Sequence, residues 1–348
     1  MSLVNSINTN TIVKIKDSGI WDKITIKGDN NEKHSQAKKL RPVLLICETI
    51  NVCNSVCVFC PYSQQSRSKG TMSLELFEKV VKEYREIGGG IISLTPMVGD
   101  VLLDRKLIER LEILRRYKED IKPSITTNLF ALDKFSDVEI IKILDCFERI
   151  HVSCYGITSE ENKEITKTLH YEKFISNMKR FVRIWEKTEK KCEIKVGFRL
   201  LYEHSNSLLS NFLAENFGHI FPYGSTSTYA NWGNSMSGSL PGKAVWMPEV
   251  ENHETCILLL VAMQVYWDGR VSACACCDYD SSKELFIGNV NHEKISEIYN
   301  GYLSKKLWSY HENNSLPNIC QKCTFHQSLQ ILDKNHTLVS NPYDYIGG

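Results

Sequence analysis

The sequence predicts an α/β fold with a parallel sheet, followed by a small module rich in cysteine. Over residues 42–223, six strand-like segments alternate with five helix-like segments, and such alternation requires crossover connections between parallel strands. The 348 residues are 42% hydrophobic and 24% charged, which supplies a large core and excludes a disordered chain. The 13 cysteines are concentrated in two places, which indicates metal centres or catalytic thiols.

The predicted strands are short apolar runs, and the predicted helices carry apolar residues at helical spacing. In the first helix, Ser73 suits the N-cap and Gly88 the end. The predicted strands are 42–50, 91–96, 123–128, 149–156, 193–202 and 219–223. The predicted helices are 73–87, 104–119, 136–147, 171–190 and 207–217. Six units are too few for an eight-unit barrel, so an open partial barrel and a doubly wound sheet both remain. Either fold binds ligands at the carboxyl ends of its strands.

The segments before and after this pattern differ from it in composition. Residues 1–40 are polar, with strand-like alternations at 12–15 and 24–26, and are interpreted as an N-terminal extension to a barrel over 41–225. Residues 226–252 are rich in glycine, serine and asparagine and predict a linker. Its aromatic residues would also suit a sugar-like or nucleoside ligand. They are Tyr229, Trp232 and Trp246.

The second module is predicted over 253–330, with a tail over 331–348. Asp268-Gly269 separates two apolar runs, which predicts a β-hairpin, and 295–311 predicts a helix. The module is therefore expected to be a small α+β unit.

Charge and hydropathy narrow the possible partners. Lys and Arg number 42 against 41 Asp and Glu, a formal charge of +1, which argues against a nucleic-acid or acidic-membrane binder. The longest apolar run, 257–263, is too short to cross a bilayer. We expect a soluble cytoplasmic protein with no membrane or nucleic-acid partner, whose thiols stay reduced.

The first cysteine group is Cys53, Cys57 and Cys60, directly after the first predicted strand. A closed structural zinc site needs four ligands. A [4Fe–4S] cluster held by three cysteines leaves one iron open to a substrate or cofactor. A zinc site completed by a distant ligand is the alternative.

The second group is Cys256, Cys274, Cys320 and Cys323. Four thiolates suit either structural zinc or a fully ligated [4Fe–4S] cluster, and the spacing leaves both open. Cys276 and Cys277 are additional. On a strand they would face opposite sides, so at most one would point with Cys274 toward the metal. They are interpreted as buried small residues or as a hydrogen-atom donor or alternative ligand.

The C-x3-C-x2-C spacing with Phe59 before its last cysteine resembles the radical S-adenosylmethionine (SAM) superfamily. The resemblance implies a partial (β/α)6 TIM-like barrel. It also implies that Cys53, Cys57 and Cys60 hold a [4Fe–4S] cluster whose open iron binds SAM, with Phe59 near the adenine.

Other positions resemble family motifs one by one. Val98-Gly99-Asp100 is similar to a Gly-Gly-Glu-Pro motif, with Asp for Glu and no Pro. Thr127-Asn128 is similar to Thr-Asn-Gly, with Leu129 in place of Gly. The resemblance implies five SAM contacts besides Phe59: Gly99, Asp100, Asn128, Ser153 and Arg199.

The spacing from Cys256 through Gly269 to Cys274 resembles the start of the SPASM pattern. The four closely spaced cysteines and the last cysteine that continue that pattern are missing, and Cys320 and Cys323 complete the set of four. The module therefore resembles the shorter twitch version, as in the aminocyclitol dehydrogenase of butirosin biosynthesis. This implies a second, fully ligated [4Fe–4S] cluster.

The implied activity is a radical oxidation in natural-product biosynthesis. A reduced cluster would cleave SAM to a 5′-deoxyadenosyl radical, which removes hydrogen from a small sugar, aminocyclitol or nucleoside-like substrate. A two-electron oxidation through the auxiliary cluster is expected, with an electron donor such as flavodoxin or ferredoxin. Alternatives are epimerisation with Cys276 or Cys277 as donor, carbon–carbon bond formation and ribosomal-peptide modification. A zinc-binding interaction module is the alternative of another class.

Overall fold

The computed structural model describes residues 39–189, 191–249 and 255–326. The strand-like alternations predicted at 12–15 and 24–26, and the tail over 331–348, lie outside these residues. No helix in the described part of the chain is long and apolar enough to cross a membrane.

Six parallel strands form the centre of the fold in the order of the chain, which confirms the predicted α/β partial barrel. Five of the six strands are buried on one or both faces because helices cover the sheet, whereas the sixth, at the sheet's edge, is more exposed. The strands are β1 (Leu44–Cys47), β2 (Gly90–Ser93), β3 (Ile121–Thr127), β4 (Arg149–Tyr155), β5 (Glu193–Arg199) and β6 (Tyr223–Thr226). The strand predicted at 219–223 therefore begins only at its last residue.

The first connecting helix begins at the predicted cap, Ser73, and a serine also caps the third. Ser73 Oγ accepts from the Leu76 amide, and Ser136 forms a capping box with Glu139. The helices are α1 (Leu74–Glu86), α2 (Leu107–Arg115), α3 (Asp137–Cys146), α4 (Ser159–Thr166), α5 (Tyr171–Trp185) and α6 (Asn206–Phe217). The sequence reading did not predict α4, because this short polar helix carries little apolar periodicity.

The C-terminal module extends the barrel's own sheet. Strand β9 (Ala262–Val265) pairs in parallel with β1, and the Asp268-Gly269 turn leads into antiparallel β10 (Arg270–Ser272) and β11 (Phe286–Asn289). The predicted hairpin is thus present. Its contact with β1 was not predicted, because strand pairing between distant segments leaves no local signal.

Two predicted elements of this module are divided in the structure. The apolar run around 257–267 begins as helix α7 (Leu258–Val261) before it becomes β9. The helix predicted over 295–311 is two helices, α8 (Ile295–Tyr299) and α9 (Tyr302–Glu312), separated at Gly301. Helix α10 (Asn318–Gln321) then leads to the last cysteine.

The described part of the predicted linker is folded. Strands β7 (Thr228–Tyr229) and β8 (Val245–Trp246) pair in parallel. The segment packs against the loop after β1, so Tyr229 and Trp232 belong to the site at the carboxyl ends of the strands, whereas Trp246 does not line it.

Candidate active site

The loop after β1 brings Cys53, Cys57 and Cys60 together. Cys57 is buried, and the other two are half-buried. The Cys60 amide donates to the Cys57 carbonyl, which turns the loop back on itself. Ser55 Oγ lies 3.6 Å from Cys53 Sγ and 3.4 Å from Cys57 Sγ. One short loop therefore presents three thiols and a buried hydroxyl.

The electrostatics of these thiols fit an iron–sulfur cluster. Burial raises the pKa of Cys53 to about 12 and also raises the pKa values of Cys57 and Cys60. Buried thiolates are costly unless cations compensate them. Three thiols on one short loop match the three cysteine ligands that a [4Fe–4S] cluster with one open iron requires, and its irons would compensate their charge, so the donor set fits this cluster.

A cavity of about 280 Å³ lies beside this loop. All three cysteines line it, as do the predicted SAM contacts from the ends of several strands. These contacts are Phe59, Gly99, Asp100, Asn128, Ser153 and Arg199. The structure thus brings every predicted SAM residue to one cavity at the carboxyl ends of the strands. Their roles toward SAM stay predictions.

Asp100 organises the floor of the cavity. Its buried carboxylate accepts from the Leu102 amide, the Thr127 hydroxyl and the Asn128 amide. Burial raises the pKa of Asp100 to about 6, although these hydrogen bonds act in the opposite direction. Most of its acceptor capacity is therefore already used within the protein. Gly99 has φ +142°, and a Cβ there would lie 3.0 Å from the Val52 carbonyl oxygen.

The end of β3 is tied to the cysteine loop. Asn128 Nδ2 donates to Asn54 Oδ1 over 2.9 Å, next to Cys53. Leu129 follows with φ +58°, a left-handed conformation that glycine adopts more easily. The Thr-Asn-Gly motif that this segment resembles has glycine at this position. Here a leucine adopts the left-handed conformation.

Aromatic rings enclose Phe59. The Tyr229 ring stacks on it with centroids 4.1 Å apart and planes 8° apart, and the Arg199 guanidinium lies 5.8 Å from its centroid. Trp232 Nε1 donates to the Phe59 carbonyl over 2.9 Å. Tyr229 and Trp232 both line the cavity. The linker interpretation missed their place in the site, although their aromatic character was the available signal.

In the second cysteine group, Cys277 lies beside two of the four predicted ligands. Cys277 Sγ lies 3.6 Å from Cys323 Sγ, and the Cys277 amide donates to Cys274 Sγ. Burial raises the pKa of Cys320, and the nearby Cys274 and Cys256 raise it further. The predicted ligands Cys256, Cys274, Cys320 and Cys323 therefore share one neighbourhood with Cys277.

The expectation that Cys276 and Cys277 face opposite sides is wrong. Strand β10 ends at Ser272, so both residues lie in the turn that follows and strand alternation does not apply. Their Sγ atoms are 3.7 Å apart, and both residues line the cavity. One cavity therefore joins the three-cysteine loop to this pair of thiols.

Arg67 forms a buried ion pair with Glu48 and also connects the first cysteine loop to the C-terminal domain. The Arg67 guanidinium donates to both carboxylate oxygens of Glu48, at 2.7 and 2.8 Å, and to the Tyr279 carbonyl. Asp280 accepts from the Ser66 and Arg67 amides. These contacts clamp the chain around the first cysteine loop to the segment just after Cys277.

The comparisons with known families agree with this arrangement. The sequence pattern of the radical SAM superfamily matches residues 47–190. That of the SPASM iron–sulfur cluster-binding domain matches residues 256–324. The chain therefore carries a radical SAM domain and a C-terminal SPASM-type domain. These domains imply SAM, a [4Fe–4S] cluster and further cluster binding in the C-terminal domain. No curated protein sequence matches the chain.

Solved structures share the fold at low sequence identity. BtrN in complex with AdoMet and 2-DOIA is 16% identical, with a TM-score of 0.53 over 82% of this chain and 94% of that one. SuiB from Streptococcus suis, bound to precursor peptide SuiA, is 14% identical, with a TM-score of 0.58 over 96% and 88%. SuiB bound to S-adenosylmethionine is 13% identical, with a TM-score of 0.55 over 86% and 76%.

Proposed function

We propose that this enzyme removes a hydrogen atom from a substrate in the cavity and completes a two-electron oxidation by passing one electron to an auxiliary [4Fe–4S] cluster. The observation that supports it is the single cavity lined by Cys53, Cys57 and Cys60 and by Cys276 and Cys277. Substrate there would lie between a SAM-cleaving centre and the auxiliary cysteines.

The residues of the first site would hold and orient SAM. When bound, SAM and the reduced cluster supply a one-electron cleavage that removes hydrogen from an unactivated carbon. Arg199 would pair with the SAM carboxylate and Phe59 would lie near the adenine. Asp100 holds Thr127 and Asn128 in place, so the floor of the cavity is preorganised.

The second half of the reaction belongs to the C-terminal domain. After losing a hydrogen atom, an alcohol carbon gives up its hydroxyl proton and one electron, and the product is a carbonyl. Cys256, Cys274, Cys320 and Cys323 would hold the cluster that accepts this electron. A reductant such as flavodoxin or ferredoxin would supply the electron consumed in SAM cleavage.

Product mass tests the oxidation. Anaerobic holoenzyme with SAM and dithionite is incubated with candidate substrates, and 5′-deoxyadenosine and product are quantified together. We expect one 5′-deoxyadenosine per product, with the product two hydrogens lighter than the substrate. A product of unchanged mass would contradict the oxidation while leaving SAM cleavage intact.

Epimerisation is the second candidate, because both Cys276 and Cys277 line the cavity. A thiol S–H bond could return hydrogen to the opposite face of the substrate carbon, and one electron and one proton would restore the thiol. Turnover in deuterated water separates the two reactions. Deuterium at the attacked carbon, lost together with turnover in Cys276→Ala or Cys277→Ala, would select the epimerase. Oxidised product without deuterium in both variants would select the oxidation.

A further inference from the structure

One wall of the cavity is apolar and comes from the segment after β6 and from the C-terminal domain. Trp232, Met247, Ala275 and Phe325 line it, next to the two thiols. Within the described residues, the cavity's charged lining residues are Asp100 and Arg199, and both are predicted SAM contacts. The wall left to the substrate therefore offers rings, a thioether and methyl groups.

Trp232 is held in an unfavourable backbone conformation within this wall. Its φ is +55°, and Gly233 and Asn234 follow with φ +64° and +70°. A left-handed residue other than glycine costs about 1–3 kcal/mol and persists only where its surroundings enforce it. Such strain is concentrated at ligand sites, so it points to a role for the indole.

Contacts on both sides enforce this conformation. Asn231 donates to the Lys322 carbonyl and accepts from the Thr324 amide, on either side of Cys323. A Cβ on Gly233 would collide with Ile319. The Trp232 N–H reaches the Phe59 carbonyl in the other domain. The indole is thus anchored between the loops of the two cysteine groups.

We propose that the Trp232 indole is the platform on which the substrate stacks a planar ring. The only polar group of the indole, its ring N–H, already donates to the Phe59 carbonyl, and the Tyr279 ring meets the indole edge to face with centroids 6.3 Å apart. The indole therefore offers a ligand in the cavity its remaining π surface and no hydrogen bond. This chemistry favours a nucleobase or an aromatic side chain over a polyol. The inference rests on the proposed function for the identity of the cavity as the substrate site.

Two substitutions test whether Trp232 stacks on the substrate or only supports the surrounding structure. Trp232→Phe keeps an aromatic face and loses the N–H, whereas Trp232→Gly loses the ring but suits the positive φ. Trp246→Ala is the matched control, because Trp246 Nε1 also donates to a backbone carbonyl, that of Gly238, but Trp246 does not line the cavity. Iron content per chain verifies that each variant is folded and loaded.

Binding to SAM-loaded holoenzyme is measured by anaerobic calorimetry with uridine, N-acetyltryptophanamide and the aminocyclitol 2-deoxystreptamine. We expect at least one planar probe to bind more tightly than the aminocyclitol, and the better of the two identifies a nucleobase or an aromatic side chain. Trp232→Gly should weaken that probe by about tenfold, with Trp232→Phe and Trp246→Ala close to wild type. The Kd of SAM alone should be unchanged in all variants.

Several results would contradict the proposal that the substrate stacks on the Trp232 indole. These are preference for the aminocyclitol, no binding of either planar probe, equal binding by wild type and Trp232→Gly, or equal losses in the Gly and Phe variants. A parallel loss of SAM affinity would assign the indole to SAM instead. Failure of the proposed function is a separate result, since it appears as missing oxidation or 5′-deoxyadenosine release while probe binding persists.

Discussion

The two cysteine-rich regions are assembled in different ways. Cys53, Cys57 and Cys60 come from one short loop, and all three line the cavity. The C-terminal group comes from three separate segments, and only Cys276 and Cys277 among its six thiols line the cavity. Local sequence therefore specifies the first site, whereas tertiary structure must assemble the second. We propose that the first leaves one iron open to a ligand and that the second encloses its cluster.

The largest expected effect comes from removing the loop ligands. The wild-type chain should bind about eight irons in two clusters. Changing Cys53, Cys57 and Cys60 together to Ala should halve the iron and abolish SAM cleavage, because the open iron is lost. Iron analysis and 5′-deoxyadenosine release measure both. Unchanged release in the triple variant would refute the assignment.

Removing auxiliary ligands should have the complementary effect. Cys320→Ala with Cys323→Ala should lose the second cluster and destabilise the C-terminal domain, since metal binding there contributes folding free energy. SAM cleavage should continue without substrate oxidation. Iron at the wild-type level would show that other thiols, Cys277 among them, hold the cluster.

Removing the buried contacts of Arg67 should have a smaller effect, which is on the free energy of unfolding. Arg67→Met leaves the carboxylate of Glu48 buried without its partner, and burial already raises the pKa of Glu48. We expect a loss of about 3–5 kcal/mol in unfolding free energy. Denaturant titration measures it. The double variant Glu48→Leu, Arg67→Met should recover much of the loss; a double variant no more stable than Arg67→Met would mean that the contact with Tyr279 dominates.

Part of this arrangement was predictable from sequence, and part was not. The alternation of elements predicted the parallel sheet, and the spacing of Cys53, Cys57 and Cys60 predicted the first site, because both signals are local. The pairing of β9 with β1 and the stacking of Tyr229 on Phe59 depend on contacts between distant segments. The positions of Cys276 and Cys277 were mispredicted because the strand before them ends early.

The Ser55 hydroxyl should affect the reduction potential of the first cluster and not that of the auxiliary cluster. Once iron binds, Cys53 and Cys57 are thiolates, so the Ser55 hydroxyl can only donate to sulfur. Such hydrogen bonds favour the reduced cluster. Ser55→Ala should make reduction about tenfold less favourable, a potential about 59 mV lower. Redox titration followed by EPR measures it, with Ser93→Ala as control because Ser93 Oγ contacts Thr95. A shift of the auxiliary cluster instead would contradict the placement.

The smallest expected effect is on the pH dependence of stability, and it comes from two buried histidines, one in the barrel and one in the C-terminal domain. Burial lowers the pKa of His151 to about 3 and that of His311 to about 4. Since the unfolded chain binds these protons more tightly, stability is complete above pH 6.5 and falls as the pH falls. From pH 7.5 to 6, each should cost about 0.8 kcal/mol. His151→Gln should remove its own contribution, about 0.8 kcal/mol, from the change in unfolding free energy between pH 7.5 and 6; an unchanged dependence would contradict the assignment.

The central claim is that only the Cys53–Cys57–Cys60 site binds SAM at an open iron. EPR of the anaerobically reduced protein, recorded before and after SAM is added, tests it directly. We expect the signal of one cluster to change and that of the other to stay the same, and the cluster that remains in the triple Cys→Ala variant to ignore SAM. A response to SAM from that remaining cluster, or zinc in place of iron at the loop cysteines, would contradict the account.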